Sequence, residues 1–101
     1  MGLDDLIQSF RKEVSKIQAR SQQMIAVYNL NQEIRELERQ KTTKLADIGR
    51  LIYDQYEQQM PTNEEALRQM CKEITALGKD ISQLQTKVDN LNAQSSPNTP
   101  A

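Results

Sequence analysis

The sequence predicts an all-α fold: an antiparallel coiled-coil helical hairpin with a long N-terminal amphipathic helical extension. Three observations carry this prediction. Neither glycine nor proline occurs between Leu3 and Ile48, where Ala, Gln, Glu, Lys, Arg, Leu and Ile dominate, and a stretch of good helix formers without punctuation reads as helix. Two apolar stripes with helical spacing flank one proline-centred turn. Only 37% of the 101 residues are hydrophobic and 4% aromatic, enough to fill a long thin seam but not to surround a thick core.

The first element is residues 1–28. Ile7, Phe10, Val14, Ile17, Ser21, Met24 and Tyr28 recur at alternating steps of three and four, joined by Leu3, Leu6 and Ile25. Asp4 and Asp5 stand in the first turn, where negative charge complements the helix dipole. Extended downstream, this stripe reaches Asn31, whereas the next stripe uses Leu30, an offset of one residue or roughly 100° of helix. The segment therefore faces a partner of its own, and whether the helix bends at Asn29–Asn31 is open at this stage.

Residues 29–92 form the hairpin. Its first stripe is Leu30, Ile34, Leu37, Lys41, Leu45, Ile48, Ile52 and Tyr56, in which a step of four twice follows a step of four. Such steps locally relax a supercoil. Lys41 can lay its stem over apolar surface with its ammonium in water. Met60-Pro61-Thr62-Asn63 marks the turn, with Thr62 and Glu65 placed as a capping box for the second helix. That helix carries Leu67, Met70, Ile74, Leu77, Ile81, Leu84, Val88 and Leu91 in unbroken alternation.

Helices joined by a short turn run antiparallel, so facing residue numbers should add to a constant total. Pairing Tyr56 with Leu67, Ile52 with Met70, Ile48 with Ile74 and Leu45 with Leu77, and so on to Leu30 with Leu91, satisfies this. The same pairing would hold between two chains if the turn straightened, so a domain-swapped hairpin stays open. Residues 93–101, Ala-Gln-Ser-Ser-Pro-Asn-Thr-Pro-Ala, have no apolar period and are expected to be a disordered tail.

Function classes are narrowed by what the chain contains. Thirteen basic against 14 acidic residues, evenly spread, give no basic footprint for nucleic acid. With no histidine, one cysteine and no glycine-rich phosphate loop, no catalytic, cofactor-binding or metal-binding residues are assigned, and no small-molecule substrate is expected. No segment approaches the roughly 18 apolar residues of a membrane span, so the expected location is cytoplasmic, with membrane association as the alternative. Cys71, beside Met70, reads as a semi-buried filler. Tyr53 and Tyr56 read as a shield over the end of the seam. Gly49 and Gly78, costing near 1 kcal/mol each in a helix, suggest close approach of a neighbouring backbone.

The runs Leu30-Asn31-Gln32-Glu33-Ile34, Asp47-Ile48-Gly49-Arg50-Leu51-Ile52-Tyr53 with Tyr56, and Met70-Cys71-Lys72-Glu73-Ile74 resemble the helical region of small bacterial zinc-ribbon proteins of uncharacterised function. The resemblance spans roughly residues 1–92 and implies the hairpin. Ser95–Ala101 contain no Cys-x-x-Cys pair, so neither zinc nor a ribbon-borne activity carries over.

The functional expectation is a non-enzymatic coiled-coil interaction protein, a scaffold or assembly factor that self-associates or docks on a helical partner. Leu3, Leu6, Ile7, Phe10, Val14, Ile17, Met24 and Tyr28 form the docking face. The alternative is a peripheral membrane protein using the same face on anionic lipid, with Arg11, Lys12, Lys16 and Arg20 as headgroup contacts.

Overall fold

The computed structural model describes residues 2–94. Two helices make up the described chain: α1, Leu3–Glu57, and α2, Glu64–Gln94. They are 55 and 31 residues long. The expected all-α hairpin with a long first helix is what the structure contains. A 55-residue helix rising about 1.5 Å per residue measures about 82 Å, and the molecule is 87 Å long by 25 Å and 17 Å. Helix α1 therefore runs through Asn29 and Asn31 without a break, and residues 3–28 continue directly into the first helix of the hairpin. Of the segment expected as a tail, Ala93 and Gln94 are helical, while 95–101 lie outside the described residues.

The turn has a defined chemistry at each side. Gln59 takes a left-handed conformation, φ 54°; its N–H donates to the Tyr56 carbonyl at 3.2 Å, and the Met60 N–H to the Gln55 carbonyl at 2.8 Å. These two bonds are those of a Schellman motif, which satisfies the last orphan carbonyls of a helix. Pro61 follows, where the helix could not continue. On the far side the cap is Asn63, not the expected Thr62: the Asn63 Oδ1 accepts from the Ala66 N–H at 3.1 Å, and its carbonyl accepts from Leu67 N–H at 3.1 Å. Asn63 is an equally good capping residue one position nearer the helix, which begins at Glu64. The turn closes within the chain.

Helix α2 presents its expected stripe: Leu67, Met70, Ile74, Leu77, Ile81, Leu84 and Leu91 are half-buried and Val88 is buried. Helix α1 departs from expectation. Its seam line is Gln23, Val27, Leu30, Ile34, Leu37, Lys41, Lys44, Ile48, Leu51 and Gln55, in strict alternation of four and three, with the half-buried Ala26, Asn31, Gln40 and Asp47 at its margins. Leu45 and Tyr56, assigned to the seam from sequence, are 52% and 77% exposed, and Ile52 also lies outside it. The cause lies in the partner. An uninterrupted three–four rhythm on α2 holds its partner to the same rhythm, so α1 cannot take the two extra steps that would keep it on apolar residues. Lys44, Leu51 and Gln55 take the places of Leu45, Ile52 and Tyr56.

The pairing is displaced accordingly. Gln23 Nε2 donates to the Leu91 carbonyl, where Leu30 was expected. Lys44 Nζ pairs with Glu73 Oε2 at 3.0 Å, and Lys41 Nζ would lie 3.9 Å from a Cβ at Gly78 rather than opposite Ile81. Partner numbers fall on α2 as they rise on α1, which makes the helices antiparallel, and α2 reaches one to two turns further toward the N-terminus of α1 than expected. The core is thin: among the described residues, Ile34 and Val88 are the buried hydrophobic side chains.

Candidate interaction face

A single feature of the described surface stands out as a site, an apolar line on α1 that α2 does not cover. The seam line Val27, Gln23 continues upstream as Arg20, Lys16, Glu13 and Ser9, all polar and exposed. The apolar residues lie one position later: Tyr28, Met24, Ile17, Val14, Phe10 and Ile7. One residue is about 100° on a helix, so α2, ending at Gln94, does not face them: it stops short of Ile7 and Phe10, while Asn92 shares a hollow with Met24 and Tyr28 and Gln94 shares one with Ile17. Leu3, Leu6, Phe10, Ile17, Met24 and Tyr28 are each exposed by more than three-fifths, Ile7 is exposed, and Val14 is half-buried. The structure thus brings all eight residues of the expected docking face onto one exposed side of one helix. Exposed apolar residues scattered singly need no explanation, but a contiguous band of this length is uncommon on the surface of a monomeric protein.

The same line does not stop at Tyr28. Continued in threes and fours it passes Asn31, Arg35, Glu38 and Thr42, then meets Leu45, Gly49, Ile52 and Tyr56, the residues that the seam leaves out. Tyr53 stands beside them, and Tyr53 and Met60 are also exposed. The tyrosines therefore do not shield the seam. This second apolar block escapes a reading that assigns Leu45, Ile52 and Tyr56 to α2. Extending the N-terminal heptad past Asn31 would have found it.

Charge is arranged around the line. Arg11 follows Phe10 on one flank, Lys16 and Arg20 precede Ile17 and Ser21 on the other, and Lys12 stands further round. All four are exposed, and none makes an ion pair with another described residue. Lys16 and Arg20 border a shallow hollow of about 510 Å³ near Gln94. Further along α1 the charges are tied locally. Arg39 donates from Nη2 to Glu36 Oε1 at 2.6 Å and from Nε to Oε2 at 3.1 Å. With Gln40 also donating to it, the Glu36 carboxyl is held down at about 2, and the Arg39 guanidinium is raised by the same contact. Arg50 Nη2 pairs with Asp47 Oδ1 at 2.5 Å.

Gly49 is not crowded, contrary to expectation: nothing lies within 4 Å of a Cβ built there. Cys71 is exposed rather than half-buried. Among the described residues no group of three or more His, Cys, Asp or Glu side chains is placed to hold a metal, and no helix is long and apolar enough to cross a membrane. The fold and the face define a helical hairpin with an uncovered apolar side. Comparison with protein-family models, curated proteins and solved structures finds no match to the chain.

Proposed function

We propose that this is a non-enzymatic interaction protein, a scaffold or assembly factor whose N-terminal helix associates through Leu3, Leu6, Ile7, Phe10, Val14, Ile17, Met24 and Tyr28 with another helix. The observation that carries the reading is that seven of these residues share one line with Leu6 beside it, and that all of them but the half-buried Val14 are exposed, on a side of α1 that α2 leaves uncovered. A heptad-spaced apolar line is the surface one α-helix presents to another. Sedimentation equilibrium tests it: the wild-type chain associates, and Phe10→Asp with Ile17→Asp abolishes association while the circular-dichroism spectrum stays helical. Unchanged association in the double variant overturns the proposal.

The second reading is peripheral binding to anionic lipid, favoured by Arg11, Lys16 and Arg20 flanking the apolar line. It expects binding to anionic but not neutral vesicles, weakened as salt shortens the screening length. Absence of binding to anionic vesicles at low salt removes it.

A further inference from the structure

We infer that the occupant of this face is a second copy of the chain, laid antiparallel, so that the N-terminal apolar block of each α1 covers the turn-end block, Leu45, Gly49, Ile52 and Tyr56, of the other. The inference rests on the interaction reading above and names its partner. Four observations support it.

The first is spacing. From Leu3 to Tyr56 the line alternates four and three without a miss, and this rhythm reads the same from either end, so it superimposes on its own reversal. With Val14 set against Ile52, Phe10 falls opposite Tyr56, Ile17 opposite Gly49 and Ser21 opposite Leu45. Ile17 and Leu45 then meet the small Gly49 and Ser21, while Phe10 packs on Tyr56 and Val14 on Ile52. The open space over Gly49 is filled by Ile17 of the other copy.

The second is charge. Residues 9–24 carry Arg11, Lys12, Lys16 and Arg20 against Glu13, and 45–57 carry Asp47, Asp54 and Glu57 against Arg50. Antiparallel association lays the basic stretch along the acidic one, whereas a parallel pair sets Arg35 against Arg35 and Glu38 against Glu38 inside the contact. Opposed like charges are disfavoured. In the antiparallel register Arg35 meets Asn31 and Glu38 meets Tyr28, pairs that can hydrogen-bond.

The third is area. The seven exposed large apolar residues that this register places in the contact, Phe10, Ile17, Met24, Tyr28, Leu45, Ile52 and Tyr56, offer on the order of 700 Å² per copy, close to the roughly 800 Å² per partner of a stable complex. The fourth is room. The line lies about 100° around α1 from the α2 seam, so helices packed at about 8–10 Å put the second α1 roughly 12–15 Å from α2, clear of it. A bilayer would require neither the reversible spacing nor the second block.

The test is cysteine pairing in a Cys71→Ala background. One chain carries Val14→Cys, another Ile52→Cys. The expected result is a two-chain solution mass for the parent protein and, under oxidation, a disulfide that forms when the two kinds are mixed and not with either alone. Cross-linking within either kind alone, or a monomeric mass at every concentration, overturns the inference. Leu45→Asp with Tyr56→Asp separates this failure from that of the broader reading. The inference expects this exposed pair of changes to weaken association more than about tenfold, as Phe10→Asp with Ile17→Asp does. If the N-terminal changes dissociate the protein and the turn-end changes do not, the interaction reading stands and the antiparallel second copy falls. If neither does, both fall.

Discussion

Lys44 reaches across the hairpin to Glu73, Nζ to Oε2 at 3.0 Å, and among the described residues it is the ion pair that joins the two helices; the other two lie within α1. The ammonium of Lys44, followed by the Gln69 side chain, holds the Glu73 carboxyl below its ordinary range. A carboxyl whose folded value is depressed contributes stability that is present above its unfolded value, near 4.5, and is lost as pH falls through the folded value. Glu36, held at about 2 by Arg39, acts in the same direction and over a lower range. The hairpin is expected to melt at lower temperature as pH drops from 5 toward 2. Glu73→Gln should flatten the upper part of that dependence, as followed by circular dichroism. An unchanged profile in the variant would show that the pair contributes nothing to the register it spans.

Gln55 occupies the last covered position of α1 and is 8% exposed, with Oε1 lacking a hydrogen-bond partner. A buried polar atom without a partner costs roughly 1–3 kcal/mol. Gln55→Met keeps the length of the side chain and removes the orphan, so it should raise hairpin stability by about 1 kcal/mol or more, read as an increase in the urea midpoint at unchanged slope. A loss of stability would mean that the Gln55 oxygen is satisfied in solution.

How much of this was legible in the sequence follows from where polar residues had to go. The α2 stripe from Leu67 to Leu91 is uninterrupted, and each of its eight residues is covered as expected. The α1 seam could not be read so directly, because at Leu45, Ile52 and Tyr56 apolar residues lie on a line one residue away from the seam. Choosing apolar over rhythm puts these three on the wrong partner. The rhythm wins because α2 permits no extra step, and Lys44 and Gln55 are long enough to enter the seam with their polar ends at its margin. The N-terminal face was legible because its line has no competitor there: the seam positions beside it, Arg20, Lys16 and Glu13, are all charged.

The turn offers a second pair of stability predictions, of opposite sign. A left-handed residue with a side chain costs about 1 kcal/mol that glycine avoids, so Gln59→Gly should stabilise the hairpin by about 0.5–1 kcal/mol after glycine's greater unfolded freedom is counted. Asn63→Ala removes the side-chain cap on the Ala66 N–H and should destabilise by about 1 kcal/mol. Thr62→Ala, in contrast, should leave stability within about 0.5 kcal/mol, since the helix starts beyond its reach. Thermal melts of the three variants decide whether Asn63 or Thr62 is the cap.

Gly49 and Gly78 provide an internal comparison between folding and association. Each sits inside a helix, where alanine is favoured by about 1 kcal/mol. Space permits the change at both sites: a Cβ at Gly49 meets nothing within 4 Å, and at Gly78 only the movable Lys41 ammonium at 3.9 Å. Both Gly49→Ala and Gly78→Ala should therefore stabilise the hairpin by about 1 kcal/mol, measured at concentrations below association. They should part company in sedimentation. Gly49 lies on the uncovered line between Leu45 and Ile52, where an added methyl projects into the space that Ile17 of a second copy would fill, whereas Gly78 lies on α2 beside the seam, half-buried against Lys41. Weaker association in Gly49→Ala with unchanged association in Gly78→Ala is expected. Equal effects on association would mean that the small residue on the α1 line has no bearing on what covers it.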